Sequence, residues 1–313
     1  MANSVGFTFV ARDGKEIFYT HWPLDKNQSL RGVVQIAHGI GEHIGRYEEV
    51  ALALNKEGFV VYGNDHRGHG RTANDGKTLG QYTGKNFWED AVEDMHEMTE
   101  LIKSTHPDTF FILLGHSLGS LLGRDYISRY GAEVDAVIIS GTAGYIKILG
   151  PAGVVITNLL VRFRGSTATS PLIESFFFDQ FNRKFKPNRT KLDWVSRDEY
   201  QVDKFEKDPL RSEKFHIAIL QGAALGGKMA NASETLKKTP KDLPMYILSG
   251  DQDPVGEMGA GVKRVYRDYQ KAGMKNLTIK LYPGGRHEMF NETNRVEVMQ
   301  DMINWINDRI KQN

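Results

Sequence analysis

Phe110-Phe111-Ile112-Leu113-Leu114-Gly115-His116-Ser117-Leu118-Gly119 is the stretch on which the fold of this chain turns. Its first five residues form a short apolar run suited to a buried strand. Ser120 to Ile127 continues it with the pattern of a helix opening. Between strand and helix stands Gly-x-Ser-x-Gly. A strand that turns at once into a helix strains the backbone of its serine, and small residues two positions before and after let strand and helix close around the turn. The hydroxyl then projects at the end of the sheet, where the helix N-terminus favours developing negative charge. Ser117 is therefore a candidate nucleophile.

The flanking sequence repeats strand and helix. Phe7 to Trp22 predicts two strands around Arg12-Asp13-Gly14-Lys15, whose Asp-Gly pair signals a hairpin. Gly32 to Ala37 is a buried-type strand that ends in His38-Gly39-Ile40-Gly41-Glu42-His43. Arg46 to Glu57 predicts a helix stopped by Gly58. Phe59 to Tyr62 predicts a strand, followed by the loop Asp65-His66-Arg67-Gly68-His69-Gly70-Arg71. Asn86 to Thr105 has helical spacing, and Val134 to Ser140 predicts a strand. This alternation implies an α/β fold: a mostly parallel central sheet with helices on both faces.

The alternation breaks near Gly141. From Thr142 to about Lys241 the chain is rich in aromatics and cations, including Phe176-Phe177-Phe178 and Arg183-Lys184-Phe185-Lys186. This stretch reads as an inserted, mainly helical cap. Strands at Leu243 to Gly250 and Leu277 to Tyr282, and helices at Val262 to Ala272 and Glu292 to Lys311, resume the core. The expected division is core 1–141, cap 142–241 and core 242–313.

Composition narrows the chemistry. The chain has 313 residues, a net charge of +1 and no cysteine. Near-neutral charge gives no case for nucleic acid, and the missing thiols exclude disulfides and Cys-ligated zinc. Neither a signal-peptide pattern nor an apolar run near the roughly 18 residues of a membrane span is visible. A cytoplasmic location is expected.

A serine hydroxyl needs a base, and the base needs a carboxylate that fixes its tautomer. On sheets with this turn the order along the chain is Ser, acid, His. After Ser117 the histidines are His216, in the presumed cap, and His287, which follows a strand and a glycine-rich loop. His287 is the expected base. Asp251 and Asp253 both follow the preceding strand. Asp253 is preferred because Pro254 biases it to an extended conformation, and Asp251 remains the alternative. The oxyanion donors are expected to be the N–H groups of Leu118 and Ile40.

At this point a family resemblance becomes specific. His38-Gly39-Ile40-Gly41-Glu42-His43 with Arg46-Tyr47, then Asp65-His66-Arg67-Gly68-His69-Gly70, then Gly115-His116-Ser117-Leu118-Gly119 resemble the monoacylglycerol lipase and lysophospholipase-like branch of the serine α/β-hydrolases. Ser249 to Val255 and Gly284 to Glu288 resemble its acid and histidine loops. The resemblance implies the α/β-hydrolase fold and aligns the acid with Asp253. It also implies hydrolysis of monoacylglycerols, lysophospholipids or other small carboxylic esters. No cofactor or metal is expected, and Asp65, His66 and His69 read as a structural loop.

Apolar residues Ile146, Ile148, Leu149, Val154, Val155, Ile156, Leu159, Leu160 and Val161 predict a helix that either packs on the core or lines an acyl tunnel above Ser117. Val155 and Leu159 are the expected substrate-binding positions. Arg183, Lys184, Lys186, Arg189 and Lys191 form a cationic face for weak contact with an anionic membrane surface, or a solvated cap face. A proline-iminopeptidase-like peptidase shares fold and triad, but needs an acidic cluster for the substrate amine that the sequence does not display. A binding protein on the same scaffold would lack the reactive serine.

Overall fold

The computed structural model describes residues 4–144, 151–171, 174, 175 and 180–311. Phe176, Phe177, Phe178, Ile146, Ile148 and Leu149 lie outside them. The sheet has eight strands: β1 Val5–Val10, β2 Glu16–Trp22, β3 Gly32–Ala37, β4 Phe59–Asn64, β5 Phe111–His116, β6 Ala136–Ser140, β7 Met245–Gly250 and β8 Leu277–Tyr282. Their order is β1-β2-β4-β3-β5-β6-β7-β8. The β1–β2 and β2–β4 pairs are antiparallel, and the pairs from β4 to β8 are parallel. β3, β5 and β6 are buried along their whole length, as expected for strands covered on both faces.

Nine helices are labelled among the described residues: α1 Glu48–Lys56, α2 Phe87–Thr105, α3 Leu118–Tyr130, α4 Pro151–Arg164, α5 Glu199–Glu206, α6 Ile217–Ala230, α7 Ser233–Lys238, α8 Ala260–Lys271 and α9 Arg295–Ile310. Val50 and Leu54 of α1 and Met302 and Ile306 of α9 cover one face of the sheet. Val92 and Met95 of α2, Leu122 and Tyr126 of α3, Ile219 and Leu220 of α6 and Val262 and Val265 of α8 cover the other. This is the α/β-hydrolase architecture.

The described residues between β6 and β7 form α4 to α7, a 3-10 turn at Phe181–Phe185 and an isolated bridge between Thr169 and His216. Their far end is joined to the core. Helix α6, placed in the cap by its sequence position, contributes Ala218, Ile219 and Leu220 to the main hydrophobic cluster. It comes close because Gly226 faces the buried Trp88 indole. A Cβ on Gly226 would lie 1.9 Å from two carbons of that ring. The Trp88 N–H donates to Asp125 at 2.7 Å, so the ring is not free to yield.

Two effects therefore compete in Gly226→Ala. Helix propensity favours alanine by about 1 kcal/mol. Overpacking against a pinned aromatic costs roughly 1–3 kcal/mol, and at this separation the clash wins. The variant should melt below the wild-type Tm, as read by thermal unfolding; an unchanged or higher Tm would show that α6 has room to move.

Candidate active site

The candidate site lies at the carboxyl ends of β3, β5 and β7 and the loop after β8. β5 runs straight into α3, with Ser117 between them at φ 52° and ψ −115°. A positive φ is costly for a residue with a Cβ. The turn is held from below by Gly119, where an added Cβ would lie 2.0 Å from the Ala37 carbonyl oxygen at the end of β3. Helix and strand therefore touch without a side chain between them, and Leu118 begins the helix beside the loop that follows β3. Among the described residues neither the Leu118 nor the Ile40 N–H has a hydrogen-bond acceptor. Ile40, Ser117 and His287 line one pocket, with Trp194, Phe205 and Phe215 completing its wall.

Asp253 and His287 are both buried and meet directly. His287 Nδ1 lies 3.0 and 3.1 Å from the two Asp253 carboxylate oxygens. The carboxylate also accepts from the Ser249 hydroxyl at 2.7 Å and the Val255 N–H at 2.9 Å. Burial alone would push the Asp253 pKa up. The charge and hydrogen bond of His287, with those of Ser249 and Val255, outweigh it and hold the pKa below the ordinary carboxylate value. Burial would likewise lower His287, but Asp253, Glu288 and Glu42 together raise it. Asp251 is turned elsewhere, since its Oδ1 accepts from the Gly284 N–H at 2.8 Å.

A second cluster joins the loop after β3 to the loop after β8. Glu42 Oε1 accepts from the Gly39 N–H at 2.6 Å and from the Tyr47 hydroxyl at 2.8 Å. Glu42 Oε2 accepts from Arg46 at 2.6 Å. Arg46 also makes a fork to Glu288 at 2.9 and 2.6 Å, and stacks on Phe205. All three charged groups are buried. Burial opposes the charge on Glu288, but Arg46 dominates and brings its pKa down to about 2. No role for this brace follows from the sequence alone. The four-residue spacing of Glu42 and Arg46 is a visible signal, but their partner Glu288 is remote in sequence.

The apolar positions of α4 fall differently. Val155 is 56% exposed and Leu159 50%. The described residues around Ser117 do not include either, while their neighbour Leu160 packs on the core. Of the cationic run, Arg189 is engaged by Asp203 and Glu199. No helix among the described residues is long and apolar enough to cross a membrane.

Comparison with known proteins agrees with this fold. A family described as serine aminopeptidase S33 matches residues 28–294. The chain belongs to this family of serine hydrolases. It is 31% identical over 305 residues to a monoacylglycerol lipase of Mycolicibacterium smegmatis, covering 96% of this chain and 95% of the relative. A monoglyceride lipase homolog of Monkeypox virus is 30% identical over 308 residues, covering 96% and 97%. Among solved structures, a highly thermostable carboxyl esterase from Bacillus coagulans in complex with glycerol aligns at a TM-score of 0.92 and 30% identity over 99% of both chains. The chain is thus a carboxylic ester hydrolase of the monoglyceride lipase type.

The brace sets an expected titration. Glu288 is a negative charge that favours the imidazolium of His287. Replacing it by a neutral amide, Glu288→Gln, should lower the His287 pKa, so the ring loses its proton at a lower pH than in the wild type. The check is an NMR pH titration of the His287 ring; a pKa that rises, or does not move, would show that Glu288 does not act on it.

Proposed function

We propose that the chain hydrolyses monoacyl lipid esters, a monoacylglycerol or a lysophospholipid, through a Ser117–His287–Asp253 triad and an acyl-enzyme. What carries the reading is a positive-φ serine that lines one pocket with His287, whose ring is backed by the buried Asp253. His287 gives Nδ1 to Asp253, which leaves Nε2 for the serine proton. Ser117 Oγ attacks the ester carbonyl as His287 takes its proton, and the tetrahedral oxyanion accepts from the Ile40 and Leu118 N–H groups. Collapse breaks the bond to the alcohol, which leaves with the proton from His287. Water, deprotonated by the same imidazole, then attacks the acyl-enzyme, and Ser117 leaves with that proton.

In this reading residues 142–241 are the cap, and the exposed α4 side chains Val155 and Leu159 receive the acyl chain. Two alternatives use the same triad: a short-chain carboxylesterase, and a proline-iminopeptidase-like peptidase.

Turnover of a glycerol monoester, a lysophospholipid, a p-nitrophenyl acetate and an aminoacyl amide separates them. Ser117→Ala should lose on the order of 10⁵ to 10⁶ in turnover. Asp253→Asn should lose roughly 10⁴, because the imidazole loses its orienting carboxylate, and Asp251→Asn far less. Wild-type-like hydrolysis by Ser117→Ala, or the reversed order of the two aspartates, would sink the assignment.

Burial of each acyl methylene is worth about 0.8 kcal/mol. If α4 receives the chain, Leu159→Asp should reduce kcat/KM for long acyl esters several-fold and leave acetyl esters unchanged. An equal loss at every chain length would remove α4 from the acyl path.

A further inference from the structure

The loops after β3 and β4 hold more imidazole than this reaction uses. His38, His66 and His69 are fully buried, and the His38 and His66 rings lie 4.2 Å apart. His38 makes two bonds of opposite kind. Its Nε2 is 2.9 Å from the main-chain N–H of His66. A main-chain N–H can only donate, so Nε2 is bare and accepts. The proton of the neutral ring is then on Nδ1, which donates to the Gly39 carbonyl at 2.7 Å. Burial, reinforced by His66 and His69, pushes the His38 pKa well below its ordinary value and keeps the ring neutral.

The Gly39 carbonyl and the Ile40 N–H belong to one planar trans peptide. They point in opposite directions, so fixing one fixes the other. The preceding peptide is held as well, by the bond from the Gly39 N–H to Glu42. Both peptides around Gly39 are thus oriented by buried side chains and not by a regular backbone ladder.

We propose that His38 is the positioning residue of the oxyanion hole: its Nδ1–H, set in that tautomer by the His66 main chain, turns the Gly39–Ile40 peptide so that the Ile40 N–H faces the acyl oxygen. This rests on Ser117 as nucleophile and Ile40 as oxyanion donor. The His66 N–H, the His38 ring and the Gly39–Ile40 peptide form one directed chain, in which each bond polarises the next. With the peptide turned over, a carbonyl oxygen would meet the developing negative charge instead.

Two substitutions divide the two bonds. His38→Asn keeps an amide N–H at the Nδ1 position and gives up the acceptor for His66. His38→Gln places an amide oxygen near the Nε2 position and gives up the donor. Loss of an oxyanion donor costs roughly 10² to 10³ in turnover; a donor that is present but free to turn should cost about 10- to 100-fold. His38→Gln should show that loss in kcat on a glycerol monoester with KM little changed. Its affinity for a trifluoromethyl ketone, which a serine nucleophile converts to a hemiketal anion, should fall in parallel. His38→Asn should stay near wild type in both. Equal losses in the two variants, the reverse ranking, or a loss confined to KM overturns the proposal.

A measurement on the wild-type protein decides the tautomer whether or not the variants fold. Ring 15N spectra should place the His38 proton on Nδ1 from about pH 5 to 9, and a proton on Nε2 overturns the proposal. If hydrolysis survives Ser117→Ala, the underlying reading fails, and the ring spectrum still reports on His38 separately.

Discussion

The close approach of α3 to the end of β3 is the contact on which the site depends. Gly119 lets the helix backbone rest against the Ala37 carbonyl, and Ser117 must then turn through a positive φ to enter the helix. Strain of this kind costs about 1–3 kcal/mol. It is sustained because β5 is central, paired on both sides by β3 and β6 and buried throughout. The same contact brings the first N–H of α3 beside the loop that carries Ile40. The proposed nucleophile and oxyanion donors are therefore placed by one backbone packing event, and no side chain has to span between them.

The proposed base is placed independently, at the end of β7 and β8, and something must hold it to the loop after β3. The Glu42–Arg46–Glu288 brace does this. Two carboxylates against one guanidinium is an expensive arrangement to bury. Its forked geometry, with added bonds from Gly39, Tyr47 and Asn291, satisfies most of the available oxygen positions. The surplus negative charge beside His287 favours its protonated form. In the proposed mechanism that is the form the imidazole takes while the tetrahedral adduct exists, so the brace would favour the intermediate as well as the fold.

The parts legible in sequence are those fixed by local pattern. β3 and β8 have the bounds that their apolar runs predict, Gly32–Ala37 and Leu277–Tyr282. Helix starts are less legible where a side chain near the start is diverted. The predicted helix at Arg46 begins at Glu48, because Arg46 sits in a 3-10 turn and reaches Glu42 and Glu288. The last helix begins at Arg295 and not at Glu292, whose buried carboxylate is bound by the N–H groups of Arg197, Arg286 and Thr293. Of the candidate site, Ser117 is proposed from the Gly-x-Ser-x-Gly turn between strand and helix, and His287 from its order along the chain. The choice of Asp253 needed the proline signal and the family resemblance. The brace was not legible, since Arg46 and Glu288 are 242 residues apart and a single sequence carries no sign of that contact.

That brace also bears on ester against peptide substrates. An aminopeptidase must offer a carboxylate to the ammonium of its substrate. The sequence displays no acidic cluster, yet the pocket wall includes Glu42, Glu213 and Glu288. Two of these are already committed: Glu42 and Glu288 share Arg46, Glu42 Oε1 accepts from Gly39 and Tyr47, and Glu288 Oε2 also accepts from Asn291. The third, Glu213, is largely exposed and paired with Arg211, where water and the guanidinium screen it. To bind an ammonium, the site would have to release Arg46 from one carboxylate and leave a buried charge short of a partner, which costs about 3–5 kcal/mol. A neutral ester makes no such demand. The described pocket wall therefore offers no uncommitted buried carboxylate to an ammonium, which supports the proposed ester substrate over an amine.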